Sequence, residues 1–272
     1  LLLLRKSAAA GSREGLHLLA LLHLRGQGMK QNLTEGVRLL EEAALRGSLP
    51  AQTDLAKACA LGVGTPKNEA KALYWLRLAA AQGDAASALA AGRMYRKGEG
   101  TEKNDEAAAK WLEDAAKAGL PAAQYELAEL LRRRDAGARD PAKSRRWMRE
   151  AAFSGIVEAQ FRIGVASWSG AGGSVDQREA VRWLCRAAEG GSAKAAAMLA
   201  GFLMTGNGLP LSPARAWTLF LWAQRLGDAD SGPLARMLEG QLTAEERRDG
   251  AALLAQARPK ELLEALIPRR ER

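Results

Sequence analysis

Cysteine, histidine and aromatic residues are all scarce in this 272-residue chain. Its two cysteines, Cys59 and Cys185, supply neither a disulfide framework nor a metal set. Aromatics make up only 5% against an excess of Ala, Leu and Gly, which favours thin helical layers over a sheet-based core. No run of about 18 apolar residues exists, so no segment reads as a membrane-spanning helix. The opening Leu1 to Leu4 is broken by Arg5-Lys6 and is too short for a signal peptide. Acid is in deficit: the net charge is +9, which implies solubility and a mild preference for anionic partners but says nothing of fold.

Glycine, in contrast, is plentiful and regular. Gly11, Gly47, Gly83, Gly119, Gly155, Gly191 and Gly227 are each 36 residues apart. A second series runs Gly28, Gly64, Gly100, Ala136, Gly172 and Gly208 with the same step. Internal periodicity of this length marks a repeat architecture.

Four residues after the second series stand Asn32, Asn68, Asn104, Asp140, Asp176 and Ser212, all good helix N-caps. Pro141 and Pro213 occupy the first-turn position that proline tolerates. A helix of roughly 14 residues, helix B, is expected from each cap to the next first-series glycine, which suits the left-handed residue after a helix end. It carries a large apolar column: Leu3, Leu39, Trp75, Trp111, Trp147, Trp183 and Leu219. Small pairs such as Ala43-Ala44 and Ala115-Ala116 share its face. A second helix, helix A, is expected between the glycine series. Its stripe runs Ala51, Leu55, Ala56 and recurs as Ala123, Leu127, Ala128 and Ala159, Ile163, Gly164. One hairpin cannot bury its apolar face, but a stack can.

The expected boundaries follow. Residues 1–240 form the array, beginning with a partial repeat over 1–11, and 241–272 form C-terminal capping helices and a tail. Within the latter, Thr243 to Glu246 reads as an N-cap followed by first-turn acid. Because Leu3 and Gly11 sit on the repeat register, the chain opens inside a helix B without its helix A. It is expected to be a fragment, with any targeting signal upstream; the compartment is not set.

The pattern resembles the Sel-one-like repeat family, relatives of the tetratricopeptide repeats. Gly92, Tyr95, Gly98, Gly100, Asn104, Ala108, Trp111, Ala115, Ala116 and Gly119 match its motif closely. The preceding repeat matches through Gly62, Gly64, Asn68, Lys71, Ala72, Trp75, Ala79, Ala80 and Gly83. The resemblance spans roughly residues 1–240 and implies an all-α, right-handed α/α superhelical solenoid. There are departures. His23, Cys59, Leu131, Ser167 and Leu203 replace the family tyrosine, and Arg134 and Ala136 replace two turn glycines.

No nucleophile, base and orienting group come together in the sequence, so no catalytic residue is assigned. His17 and His23 are six apart on one helix, about 600° around, and do not share a face for a metal. The glycine turns lack the strand and the Lys-Ser/Thr of a phosphate loop. The family's cysteine-rich members staple each repeat with a disulfide, and some are linked with β-lactams; this chain lacks those cysteines. No cofactor or metal is expected.

Base is concentrated instead. Residues 132–149 hold eight basic and two acidic side chains. By analogy with tetratricopeptide repeats, helix A lines the concave side. Its outward positions would be Lys57, Arg93, Arg96, Lys97, Tyr125, Glu129, Arg132, Arg133, Phe161 and Trp168, a basic patch beside an aromatic one. Arginines simply solubilising a helical surface would give the same composition. The functional reading is a groove for a protein or peptide, acidic in character, using bidentate arginine contacts and aromatic anchors. The leading expectation is therefore an interaction scaffold or adaptor without catalysis. The alternative is an accessory module of a bacterial cell-envelope or hydrolytic enzyme whose catalytic part lies outside the chain. A nucleic-acid-binding array comes third.

Overall fold

A computed structural model describes residues 2–133, 139–171 and 174–268. Among them there are sixteen helices and no strand. The chain forms two compact units, Leu1–Trp147 and Met148–Arg272. In the first lie α1 (Leu2–Ala9), α2 (Arg13–Arg25), α3 (Leu33–Leu45), α4 (Leu49–Leu61), α5 (Glu69–Ala81), α6 (Ala85–Lys97), α7 (Asp105–Lys117) and α8 (Pro121–Arg132). The boundary falls inside α9 (Pro141–Phe153). The second holds α10 (Val157–Ser169), α11 (Gln177–Glu189), α12 (Ala193–Thr205), α13 (Pro213–Arg225), α14 (Ser231–Glu239), α15 (Ala244–Gln256) and α16 (Pro259–Leu266). No described helix is long and apolar enough to cross a membrane.

Even-numbered helices from α2 to α12 are helices A, and odd-numbered ones from α3 to α13 are helices B. Within the first unit α1 to α8 each pack on the next in chain order, and within the second α10 to α14 do the same, so the repeat is a helical hairpin of 36 residues in an all-α solenoid. Helices B from α3 to α13 are each 13 residues long, one fewer than the cap-to-glycine spacing predicts. Their starts follow the caps. Asn32, Asn68, Asn104 and Asp176 each accept a hydrogen bond from the backbone N–H three residues on. Ser212 is extended at the cap position but its side chain makes no such bond. Their ends follow the glycines: Gly47, Gly83, Gly119, Gly155, Gly191 and Gly227 all have positive φ. Ala136 and Gly172, of the second series, lie outside the described residues, as does Arg134.

A backbone bond closes each hairpin. The N–H of the helix B cap donates to a helix A carbonyl nine residues back: Asn32 to His23, Asn68 to Cys59, Asn104 to Tyr95, Asp140 to Leu131, Asp176 to Ser167 and Ser212 to Leu203. All six positions of the family tyrosine column therefore serve the turn through their carbonyls.

The core of each unit is built from the predicted columns. In the first, Leu39, Ala43, Ala44, Ala51, Leu55, Ala56 and Trp75 are buried; in the second, Leu184, Ala187, Ala188, Ala195, Leu199, Ala200 and Leu219. Leu3, on the same register, is 81% exposed. Buried amides join the layers. Gln52 donates to the Ala44 carbonyl at 3.1 Å and Gln160 to the Ala152 carbonyl at 3.1 Å.

The last helices are more than an end piece. Thr243 and Glu246 form a reciprocal capping box at the start of α15. α15 then packs on α13 and α16 on α11, both helices B. Arg225 donates to the Leu254 carbonyl at 3.1 Å, and Gly250 sits against Trp217 and Thr218.

Candidate partner-binding face

The outward positions of the helices A carry the residues selected from sequence. In the first unit most of them are tied to carboxylates. Lys57 on α4 lies 3.4 Å from Asp54, whose other oxygen is 2.9 Å from Nε2 of His17 on α2. Arg93 and Arg96 on α6 converge on Glu126 of α8. Arg93 Nε donates to Glu126 Oε1 at 2.7 Å, and Arg96 approaches Oε2 at 3.3 Å. Glu126 is only 15% exposed, so this pair of arginines neutralises a half-sunken acid between two layers. Lys97 is 3.2 Å from Glu99 in the following turn. Glu129 takes two bonds from Arg132, at 3.1 and 3.2 Å. That carboxylate holds the Arg132 guanidinium pKa above its ordinary value, chiefly through the hydrogen bond. Tyr125 is partly buried on α8, and Arg133 forms the C-cap of that helix.

The two aromatic candidates belong to the second unit. Phe161 and Trp168 lie on α10, both partly buried. Trp168 stacks on Phe202 of α12 with centroids 4.0 Å apart and planes inclined by 28°. On the same two helices Val165, Met198, Gly201 and Met204 are also partly exposed, so this stretch of the helix A face is apolar. The basic cluster of 132–149 is not one patch. Arg132 ends a helix A, whereas Lys143, Arg145, Arg146 and Arg149 lie on α9, a helix B.

Three residues of this face escape a reading based on outward basic positions: His17, Asp54 and Glu126. Their signal is present, since Asp54 and Glu126 share one repeat column, 72 residues apart. Beside His17 a cleft of about 410 Å³ is lined by Arg13, Leu18, Ser48, Pro50 and Gln82 among others. His23 is partly buried, and its Nδ1 is buried without a hydrogen-bond partner. Cys59 and Cys185 are buried thiols outside any disulfide, and burial pushes the Cys59 pKa up. Among the described residues no group of three or more His, Cys, Asp or Glu side chains could hold a metal ion.

Comparison with known proteins places this geometry. The Sel1 repeat model matches residues 13–48, 49–84, 85–120, 121–153, 157–192 and 193–228. Each segment takes in one helix A and the helix B after it. A Sel1 repeat protein from Oxalobacter formigenes is 28% identical, with a TM-score of 0.66 over 86% of this chain and 68% of its own. A protective antigen of uropathogenic Escherichia coli strains, which displays an SLR fold, is 23% identical with a TM-score of 0.55. The match covers 97% of this chain, which spans 64% of that protein's length. A search of the curated proteins found no match. Sel1 repeat proteins are generally protein-interaction scaffolds, and their solenoid is typically non-catalytic. With six matched segments in register with its hairpins, this chain belongs to the Sel1 repeat family.

Proposed function

We propose that this chain is a non-catalytic scaffold that holds a partner protein or peptide on its helix A face. The observation that carries the reading is a division of labour among columns. The buried columns stay small from repeat to repeat: Ala51, Ser87, Ala123, Ala159 and Ala195 are all buried. The outward columns do not; one runs Lys57, Arg93, Glu129, Val165. Side chains that vary where packing makes no demand are available for recognition.

The ion pairs refine the partner's chemistry. Arg93 and Arg96 share Glu126, and Arg132 is held by Glu129, so the face presents fixed charges of both signs instead of a bare basic groove. Guanidiniums already held in place lose less rotamer freedom on binding, which favours affinity through preorganisation. A partner segment on the first unit would set acids over the cations that stay half or more exposed, Lys57, Lys97 and Arg132. A segment on the second unit would set apolar side chains against Phe161 and Trp168.

A photo-reactive residue placed singly at Lys57, Arg93, Tyr125 or Phe161 tests this. Controls carry it at Arg38, Tyr74 or Lys110, on the outward side of helices B. Partner adducts should concentrate at the first set. Adducts chiefly at the control set would overturn the assignment of the face.

A further inference from the structure

A second charged surface lies on the opposite kind of helix. On α11, Arg178, Arg182 and Arg186 follow each other at intervals of four residues and are all exposed. Residues four apart stand on one helix face, so the three guanidiniums form a stripe about 12 Å long with steps of about 6 Å. None of them forms an ion pair among the described residues. The same columns elsewhere are compensated. In α3, Arg38 is held by Glu35 at 2.7 Å and by Glu42 at 3.5 Å. In α7, Lys110 is flanked at the same spacing by Glu106 and Asp114. Three like charges at this spacing weaken the helix that carries them. Folding gives a reason for Arg186, which lies over Trp183 in the last turn, but none for Arg178 and Arg182.

Its surroundings shape a lane. On one flank α16 packs against α11, and Cys185 is 2% exposed in a column that is charged in earlier repeats. On the other flank stands an aromatic wall. Arg186 lies 4.7 Å over the Trp183 ring, and Trp183 meets Phe153 edge to face at 5.0 Å. Phe153 is 68% exposed. Of the two acids on α11, Glu179 is occupied by Arg149 and by the Ser167 hydroxyl, both at 2.9 Å, and Glu189 lies three residues beyond Arg186. Glu150 on α9 is exposed and forms no ion pair among the described residues.

We propose that this lane binds an extended acidic peptide segment with carboxylates at alternate residues. Alternate residues of an extended chain lie about 6.6 Å apart, close to the arginine step. Each carboxylate then meets one guanidinium, with the fork geometry that arginine offers. Successive phosphates of a stacked nucleic-acid strand advance about 3.4 Å and match the stripe poorly. A membrane surface calls for clusters of about four to eight basic groups.

The test is fluorescence anisotropy with a labelled heptapeptide of alternating Glu and Ser. The full chain is compared with R178Q/R182Q, with R178Q/R182Q/R186Q, and with R96Q/R132Q on the helix A face. Circular dichroism checks that each variant is folded. Wild type should bind the alternating peptide about threefold more tightly than one with contiguous glutamates. The triple variant should bind about tenfold more weakly, the double variant fall between, and the helix A variant lose less than the double variant. Three results overturn the proposal: a triple variant within twofold of wild type, a loss confined to R96Q/R132Q, or tighter binding of oligouridylate or phosphatidylserine vesicles than of the peptide.

Discussion

Two glycines with nearly the same backbone conformation should respond very differently to a methyl group. Gly28 and Gly100 hold the same position in the turn after helix A, with φ of 73° and 71°. A Cβ on Gly28 would meet nothing within 4 Å. A Cβ on Gly100 would lie 2.6 Å from the Ala70 backbone nitrogen, because this turn is seated on the first residues of α5. Lys67, 2.7 Å away, holds the Glu69 carboxylate beside this turn below the usual carboxylate range. Alanine at either site adopts a left-handed conformation, at a cost of about 1–2 kcal/mol. At Gly100 the methyl must also push the turn off the preceding helix B, adding about 1–3 kcal/mol as overpacking does. Gly28→Ala should therefore destabilise by about 1–2 kcal/mol and Gly100→Ala by about 2–5 kcal/mol. Gly64, where a Cβ would lie 2.7 Å from the Leu33 carbonyl carbon, should follow Gly100. Native-state hydrogen exchange on the α5 and α6 amides reads the difference locally. Asparagine, which tolerates the left-handed region, should recover most of the loss at position 28 and little at 100. Equal losses at the two glycines would show that the turn alone sets the requirement and would refute the seating argument.

Further outcomes follow from single interactions. Asn104→Ala removes the cap on the Ala107 N–H, 2.8 Å away, and should cost about 1 kcal/mol in urea unfolding. Ser212→Ala removes no cap bond and should stay within about 0.5 kcal/mol. Gln160→Ala removes one of the two donors to the Ala152 carbonyl, leaving the Gly155 N–H, and should cost about 0.5–1.5 kcal/mol. The Cys59 thiol, its pKa raised by burial, should resist a disulfide reagent at pH 8 until the chain unfolds. Since the folded pKa lies above the unfolded value near 8.5, the associated stability is complete below that pH and declines as pH rises beyond it, which urea midpoints at pH 7 and 10 would reveal.

The hairpins were legible because their signals are local. A glycine that must reach positive φ, or an asparagine that must bond an amide three residues on, needs no knowledge of the rest of the chain. Asn32, Asn68, Asn104 and Asp176 cap where the spacing predicts, and Thr243 with Glu246 forms the box. Where local signals are weak, tertiary packing sets the boundary. α8 and α10 begin after Leu120 and Ile156, which offer no capping oxygen. The candidate face was legible by position but not by electrostatic state. Its pairs cross between layers at offsets of 37 residues for His17 with Asp54 and 33 for Arg93 with Glu126. Neither equals the repeat step, so column reading alone does not pair them. The placement of α15 and α16 did leave a trace. The column Glu41, Arg77, Glu113, Arg149 turns apolar at Cys185 and Leu221, on the two helices B that the C-terminal helices cover.

These features share one cause. Each hairpin is closed by a bond between two backbone groups, from the helix B cap to the carbonyl nine residues earlier. The side chain at that carbonyl is then free to be His, Cys, Tyr, Leu or Ser without loss of the turn. Chain reversal rests on glycines and caps, and layer contact rests on buried Ala and Leu. Everything outward of those columns is released from the demands of folding. Charge placement on the released positions therefore has to be explained by something other than the fold. On α6 and α8 the arginines find acids within the molecule, whereas on α11 the three arginines find none among the described residues and repel one another. A stripe that weakens its own helix and is matched elsewhere by compensated charges calls for a counter-charge from outside the chain.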